Sequence, residues 1–210
     1  MYLPKLFEEN SLEVMQQLMR DRPLATVVTL SSQGLNANHI PLHLVAVEDS
    51  YGVLRGHVAR SNSMWSDLQN SEVLAIFHGP ESYVSPSWYA TKKETSKVVP
   101  TWNYAVVHAH GTLNIIDDSA WIRTQMEVLT DQQEQTHPKP WAVTDAPNEY
   151  IQKMLEAVVG IEIKITKLLG KWKVSQNQPP QNQVGVIAGL DGLKAPEATA
   201  MADLMKQRQP

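Results

Sequence analysis

Ile161, Ile163 and Ile165 alternate with Glu162, Lys164 and Thr166. Strand side chains point to opposite faces with a period of two, so this stretch predicts a strand with one buried face and one wet face. A chain that makes such strands must pair them and cover their apolar side. Residues 24–30 (LATVVTL) are rich in β-branched side chains and read as a buried strand. SSQG turns the chain, and residues 35–47 form the hairpin partner. There Ile40, Leu42 and Leu44 share one face, and His39, Pro41, His43 and Val45 share the other. Pro41 cannot donate to a ladder, which predicts a free or bulged edge at that point. EDSYG leads to a third strand over 53–58. A fourth, 73–77, is expected to stop at Gly79 and Pro80. Residues 83–88 are a short extended piece broken by Pro86. Residues 101–113 make a long sixth strand, with Val107, Ala109 and Gly111 facing one way and Val106, His108 and His110 the other. Gly160 and Gly170 are expected to bound the isoleucine strand.

The helices are clustered late. Asn10 and Glu13 form a capping pair ahead of Leu12, Met15, Leu18 and Met19, which fall on one face, and Pro23 stops that helix. Asn62 is placed to cap a short helix through Leu68, burying Trp65 and Leu68. The polar stretch 91–98 reads as a loop. Asp117 and Asp118 precede a helix with Ile122, Met126 and Leu129 on one side. Pro147 opens another, with Tyr150, Ile151, Met154, Leu155 and Val158 inside. Residues 176–183 form a Gln/Asn/Pro linker, and 196–207 a last helix carrying Met201, Leu204 and Met205. Early hairpins followed by helices define an α+β chain built on an antiparallel barrel of six or seven strands, with peripheral helices. Residues 1–175 are expected to form one barrel domain with a helical insertion at about 118–158. Residues 176–210 would be a linker and helix packed on the same domain.

With 210 residues, 42% hydrophobic and 19% charged, the chain suits one domain or a domain with a helical annex. A net charge of -4 gives no general pull toward nucleic acid. There is no Cys, hence no disulfide framework, thiolate nucleophile or zinc–thiolate site. The first ten residues lack an apolar core and carry two Glu, and no apolar run reaches the roughly 20 residues of a membrane helix. A cytoplasmic protein without membrane contact is the expectation. GxSxG, P-loop and GxGxxG patterns are absent, and no helix-turn-helix is recognisable.

Four groups of residues have the chemistry of a ligand site. Arg60, Ser61 and Asn62 join a strand end to a helix start, offering an anion a guanidinium fork, short polar side chains and free N–H groups; the duller reading is an N-cap beside a solvated Arg. Lys92, Lys93 and Lys97 are either a loop that closes over phosphate or a solvated lysine run. In PTWNY, Trp102 and Tyr104 share a face opposite Asn103, which suits either a stacked planar ring or an aromatic core plug around an Asn that needs a partner. Lys171 and Lys173 share a face across Trp172 and lead to Ser175, Gln176 and Asn177. The pairs His39/His43 and His108/His110 each share a face without a third metal ligand, so hydrogen-bonded strand histidines are expected rather than a metal centre.

The ordered motifs GHVARSN, FHGPESYVSPSWY, VPTWNYAVVHAHG, VVGIEIKI and GKWKVSQN resemble the PaiB family over nearly the whole chain. These are FMN-binding-domain proteins described as negative transcriptional regulators. The resemblance implies an FMN-binding split barrel, the fold shared with pyridoxamine-phosphate oxidases and flavin reductases. It also implies a bacterial homodimer with the flavin at the dimer interface. Asn38, His39, Ile40 and Pro41 would run beside the flavin ring and bond it through their backbone. His57 and Val58 would flank the ring, and Arg60, Asn62 and Ser63 would lie near the ribityl chain and phosphate. Trp102, Asn103, Lys173 and Gln176 would come from across the interface or the site's far side. Ser63 stands where relatives are expected to have Pro, adding a hydroxyl, and Leu169 where they are expected to have Glu, removing a carboxylate. FMN is the implied cofactor, with another flavin or haem as alternatives. An NAD(P)H-using flavin oxidoreductase and a haem-binding barrel are the alternative functions. Direct DNA contact would have to proceed without a recognisable DNA-binding motif.

Overall fold

The computed structural model describes residues 1–65 and 68–208. Its strands are β1 (Glu8–Glu9), β2 (Leu24–Ser31), β3 (Gly34–Pro41), β4 (His43–Val45), β5 (Val53–Ala59), β6 (Ser71–Val84), β7 (Thr101–Ile116) and β8 (Val158–Lys173). They join in the order β3-β2-β6-β7-β8-β5-β4, with β1 on β8. The registered pairs are antiparallel. The helices are α1 (Leu12–Asp21), α2 (Lys92–Thr95), α3 (Ser119–Glu134), α4 (Asn148–Glu156), α5 (Pro180–Leu193) and α6 (Pro196–Lys206). The architecture is the expected α+β antiparallel one, with eight strands rather than six or seven.

The extra strands have local causes. The hairpin partner expected over 35–47 is cut at Leu42, whose N–H leaves the ladder and donates to the Pro23 carbonyl at 2.8 Å. β3 therefore pairs with β2, and β4 pairs with β5, placing His43 opposite Arg55. Two expected stops are absent. β6 runs straight through Gly79 and Pro80, because its register with β2 covers Leu74, Ala75 and Ile76 and Pro80 lies beyond it, where no β2 partner needs its N–H. β8 runs through Gly160 and Gly170. Those glycines serve close packing: a Cβ on Gly160 would sit 2.6 Å from Cζ3 of Trp121, and one on Gly170 would sit 2.8 Å from Sδ of Met15.

The chain divides into two compact units, and β6, β7 and β8 thread both. One unit comprises 16–77 and 108–168, the other 1–15, 78–107 and 169–210. In the first, Val27, Leu54, Ile161 and Ile163 are fully buried on the sheet, and so is Leu42 between β3 and β4. Ile122, Val143, Ile151 and Leu155 make a second apolar cluster around α3 and α4. Tyr150 and Met154 do not join it, being 54% and 39% exposed. Only Ile151 and Leu155, four apart, reach the core from α4, so its buried stripe is narrower than expected. The Asp118 carboxylate caps α3 by accepting from the Trp121 N–H at 2.8 Å.

In the second unit, Val84, Tyr89, Trp172, Val174, Val186, Leu190, Met201 and Met205 are buried. α5 begins inside the stretch expected to be a linker, with Pro180 at its first turn, where the missing N–H costs nothing. The expected loop at 91–98 contains the one-turn helix α2. At the other end of the chain, Ser11 rather than Asn10 accepts from the Val14 N–H to open α1. Asn62 caps as expected, accepting from the Met64 N–H at 2.9 Å, though over the short 3-10 turn Ser63–Trp65. The remainder of the helix expected there crosses residues 66 and 67, which lie outside the described residues.

Candidate functional site

The candidate residues fall into two groups, one in each unit. The first is built on β3 and β5. Asn38 lies on β3 at the end of the sheet order, and its side-chain carbonyl accepts from Asn62 Nδ2 at 2.9 Å. Because Asn62 also caps the turn that follows, this one bond anchors that turn to β3. The Asn38 amide nitrogen is buried with no partner. Thr29, Ser31, Gly34, Asn36, Ser63 and Met64 line a cavity of about 210 Å³; Asn38 is not in its wall, but Asn36 shares its strand face two residues away and Ser63 follows Asn62. Ile40 is buried and His39 and Pro41 are exposed, as period-two alternation requires. On β5, Val58 is buried, and His57 Nδ1 lies 2.7 Å from Gln125 Oε1. An amide oxygen only accepts, so that His57 nitrogen carries the proton.

Arg60 stands apart from this group. Its Nη1 and Nη2 donate to the two Asp117 carboxylate oxygens at 3.1 and 2.6 Å. Its Nε and Nη2 also donate to the Glu156 and Val158 carbonyls at 2.9 and 3.1 Å. The hydrogen bond lowers the Asp117 pKa, and Asp117 in turn raises that of Arg60. The guanidinium braces the end of α4 and the start of β8. The phosphate fork expected from the ARSN motif is already occupied by Asp117.

In the other unit, Asn103 is fully buried. Its amide nitrogen donates to Ser175 Oγ at 2.9 Å, and the Ser175 hydroxyl contacts Asn103 Oδ1 at 3.2 Å. It is a core polar pair rather than a ligand-facing group, which decides the PTWNY ambiguity for that residue. Gln176 is likewise spent on backbone: its Oε1 accepts from Val174 N at 2.7 Å, and its Nε2 donates to the Trp172 carbonyl. Lys173 donates to Thr101 Oγ1 and to the Trp102 carbonyl, and its pKa is lowered by burial and then by Lys171. Trp102 remains 54% exposed, edge-on to Tyr83 at 6.1 Å, and is the member of this group open to a planar partner. Among the alternative cations, Lys92 donates to Ser87 Oγ at 3.1 Å, and Lys171 lies over the rings of Tyr2 and Tyr104.

No group of three or more His, Cys, Asp or Glu able to hold a metal exists among the described residues. His43 and His110 both have lowered pKa values, chiefly through burial; Arg55 adds to the first and Lys167 to the second. A histidine whose folded pKa lies below its unfolded value leaves the unfolded chain binding more protons as pH falls through about 6.5. Stability should therefore be full above that pH and decline below it until the folded pKa is reached. Thermal melts between pH 8 and pH 5 should show this fall, and His43→Phe should flatten part of it.

Gln125 and the cavity-lining Thr29, Ser31 and Asn36 were not foreseen. The available signal for Gln125 was a polar residue inside the apolar stripe of Ile122, Met126 and Leu129.

Residues 1–167 match the family model described as "Putative FMN-binding domain". The chain belongs to this FMN-binding domain family. FMN is the cofactor that membership assigns. An uncharacterised protein of Emericella nidulans is 35% identical over 99% of this chain and 97% of its own. The Bacillus subtilis "Protease synthase and sporulation protein PAI 2" is 29% identical over 99% and 98%, so the likeness to PaiB proteins holds across the chain. Among solved structures, the flavocytochrome Anf3 of Azotobacter vinelandii aligns with a TM-score of 0.55 at 14% identity, covering 79% of this chain and 69% of that one. The FAD and haem binding protein of Mycobacterium smegmatis aligns with a TM-score of 0.57 at 17% identity, covering 87% and 80%. These likenesses establish the split-barrel fold. No helix among the described residues is long and apolar enough to cross a membrane.

The β3 group fits FMN. A cavity walled by Thr29, Ser31, Asn36 and Ser63, with an unpartnered buried amide donor two residues along β3, suits a carbonyl- and hydroxyl-rich ligand. When bound, FMN supplies one- or two-electron redox chemistry. Asn38 would donate to it, the β3 backbone would align it, and Asn62 would hold the turn that brings Ser63 to the cavity.

Proposed function

We propose that the protein binds FMN as a homodimer and acts as a flavin-responsive negative regulator of the PaiB type. The polar cavity walled by Thr29, Ser31, Asn36 and Ser63 carries the flavin part, with the unpartnered Asn38 amide two residues from Asn36 on the same strand face. The homodimer is supported by size: a cavity of about 210 Å³ falls below the roughly 300 Å³ at which cofactor pockets begin, so it encloses only part of the ligand. Leu30 and Leu35 stand exposed opposite each other at the turn end of the β2–β3 hairpin beside it, an apolar surface suited to a second copy. Exposed Trp102 is suited to stacking on a planar ring from such a copy. The regulatory part rests on the kinship to PAI 2. With a net charge of -4, any DNA contact would rely on a local basic surface of the dimer.

Asn38→Ala removes the orphan donor and the anchor of Asn62 together. FMN affinity should fall about tenfold, equivalent to ~1.4 kcal/mol. A fluorescence-quenching titration of FMN against both proteins measures it, and unchanged affinity would remove β3 from the site. Light scattering should give twice the 23.5 kDa chain mass. A monomer that binds FMN undiminished would overturn the dimeric site. A mobility shift of the protein's own upstream DNA, weakening with salt, should change on FMN addition. No shift at low salt in either state would remove the regulatory reading, and NADH- or NADPH-dependent bleaching of bound flavin would replace it with an oxidoreductase.

A further inference from the structure

A second cavity lies beneath α3, lined by His43, Arg55, Trp121, Thr124, Gln125 and Val128, with a volume of about 270 Å³. We propose that it is a separate small-molecule site that takes a compact carboxylate. Two of its polar side chains are almost wholly buried and incompletely partnered. Gln125 is 3% exposed; its oxygen is engaged by His57, while its amide nitrogen has no partner. His43 is 5% exposed, and its Nδ1 also has no partner. A buried donor left unsatisfied costs about 1–3 kcal/mol, and two residues carrying one stand in the wall of the same cavity, where a small rotation of either side chain would present its nitrogen to an occupant.

The chemistry of the wall selects the occupant. Gln125 Nε2 can only donate, and neutral His43 can carry its proton on Nδ1. Arg55 adds a cation. Its Nε is bound to Glu162 at 2.8 Å and its guanidinium lies 5.6 Å over the Trp121 ring, while its two terminal nitrogens have no partner among the described residues. The Thr124 hydroxyl proton already goes to the Ala120 carbonyl at 3.1 Å. The wall is thus rich in donors, with one cation partly balanced by Glu162. A planar group with two acceptor oxygens meets that pattern, and a carboxylate takes paired donors from a guanidinium. Val128 and the Trp121 ring leave room for a short apolar tail. The volume suits a molecule of a few heavy atoms. The site does not depend on flavin binding.

The test uses the full chain, without and with FMN. Sodium acetate is titrated against acetamide, its uncharged counterpart, at constant ionic strength. Saturation-transfer NMR follows the ligand methyl group, and tryptophan fluorescence follows the protein. Acetate should bind saturably in the millimolar range, acetamide at least tenfold more weakly. The fluorescence change should disappear in Trp121→Phe. Arg55→Met and Gln125→Leu should each weaken acetate at least tenfold. No saturable signal from wild type, or equal signals from acetate and acetamide, would show a cavity holding water alone and overturn the proposal. So would undiminished acetate binding in a folded Gln125→Leu protein. Displacement of acetate by FMN would merge the cavity with the flavin site and overturn its separateness. If the variants fail to fold, the wild-type comparison of acetate with acetamide decides by itself.

Discussion

Gly185→Ala should lower the melting temperature by roughly 4–8 °C, although alanine is the better helix former. Gly185 and Gly189 lie four apart on one face of α5, against Trp88. A methyl group at 185 would enter well inside van der Waals contact of the Trp88 backbone carbonyl, and one at 189 would strike the indole ring. The carbonyl belongs to the turn Pro86–Trp88, capped by the Ser85 hydroxyl accepting from Ser87 N at 3.2 Å, so it cannot swing away as a side chain could. Overpacking of this kind costs up to about 3 kcal/mol. The gain in helix propensity offsets about 1 kcal/mol. The remaining ~2 kcal/mol converts at roughly 2–4 °C per kcal/mol for a chain of this length. Gly192 supplies a control in the same helix, because a Cβ there meets nothing within 4 Å. Gly192→Ala should leave stability unchanged or raise it by up to ~1 kcal/mol. Parallel thermal melts should give a loss at 185 and none at 192; equal shifts would mean that α5 does not rest on Trp88.

Asn103→Leu should cost about 2–3 kcal/mol, or roughly 4–12 °C in melting temperature. The substitution preserves approximate volume and strands the Ser175 hydroxyl, itself 2% exposed, without its partner. Asn103 Nδ2 also lies 3.5 Å from the Met205 sulfur, so α6 is held to β7 at the same point. Ser175 has a φ of 62°, an uncommon conformation for a residue with a side chain, held where β8 ends. Leaving one partner unsatisfied costs more than removing both. Adding Ser175→Ala to Asn103→Leu should therefore recover part of the loss. A double-mutant cycle from denaturant unfolding measures the coupling, expected at 0.5 kcal/mol or more. Additive losses would show that the two side chains act independently.

The sheet was legible because its signal is strong over many residues. The alternation from Ile161 to Thr166 and the β-branched run at 24–30 leave few other folds open. What misled was punctuation. Gly79, Pro80, Gly160 and Gly170 look like strand ends, yet three of the four sites are explained by contacts that a linear reading does not contain. Pro80 lies past the part of β6 registered with β2, Gly160 receives Trp121 and Gly170 receives Met15. α5 was hidden for the converse reason. Its Gln/Asn/Pro opening looks like linker, and its glycines lower helix propensity while making room for Trp88.

The candidate site was legible in its motifs and less so in its roles. GHVARSN contains residues that the structure assembles, but Arg60 turns to Asp117, a partner 57 positions away. Asn103 was rightly placed opposite Trp102 and needing a partner; that the partner is Ser175 is a long-range fact. Asn38 entered the candidate set only through the family resemblance. Its importance became physical when the fold left its amide nitrogen buried and unpaired.

The most direct measurement is the visible absorption spectrum of the purified protein before and after addition of FMN, with unbound flavin removed by gel filtration. Flavin bands co-eluting with protein of twice the chain mass, at one FMN per chain and diminished in Asn38→Ala, are the expected result. Protein that elutes without flavin absorbance after incubation with excess FMN would contradict the assignment of the β3 cavity to the cofactor.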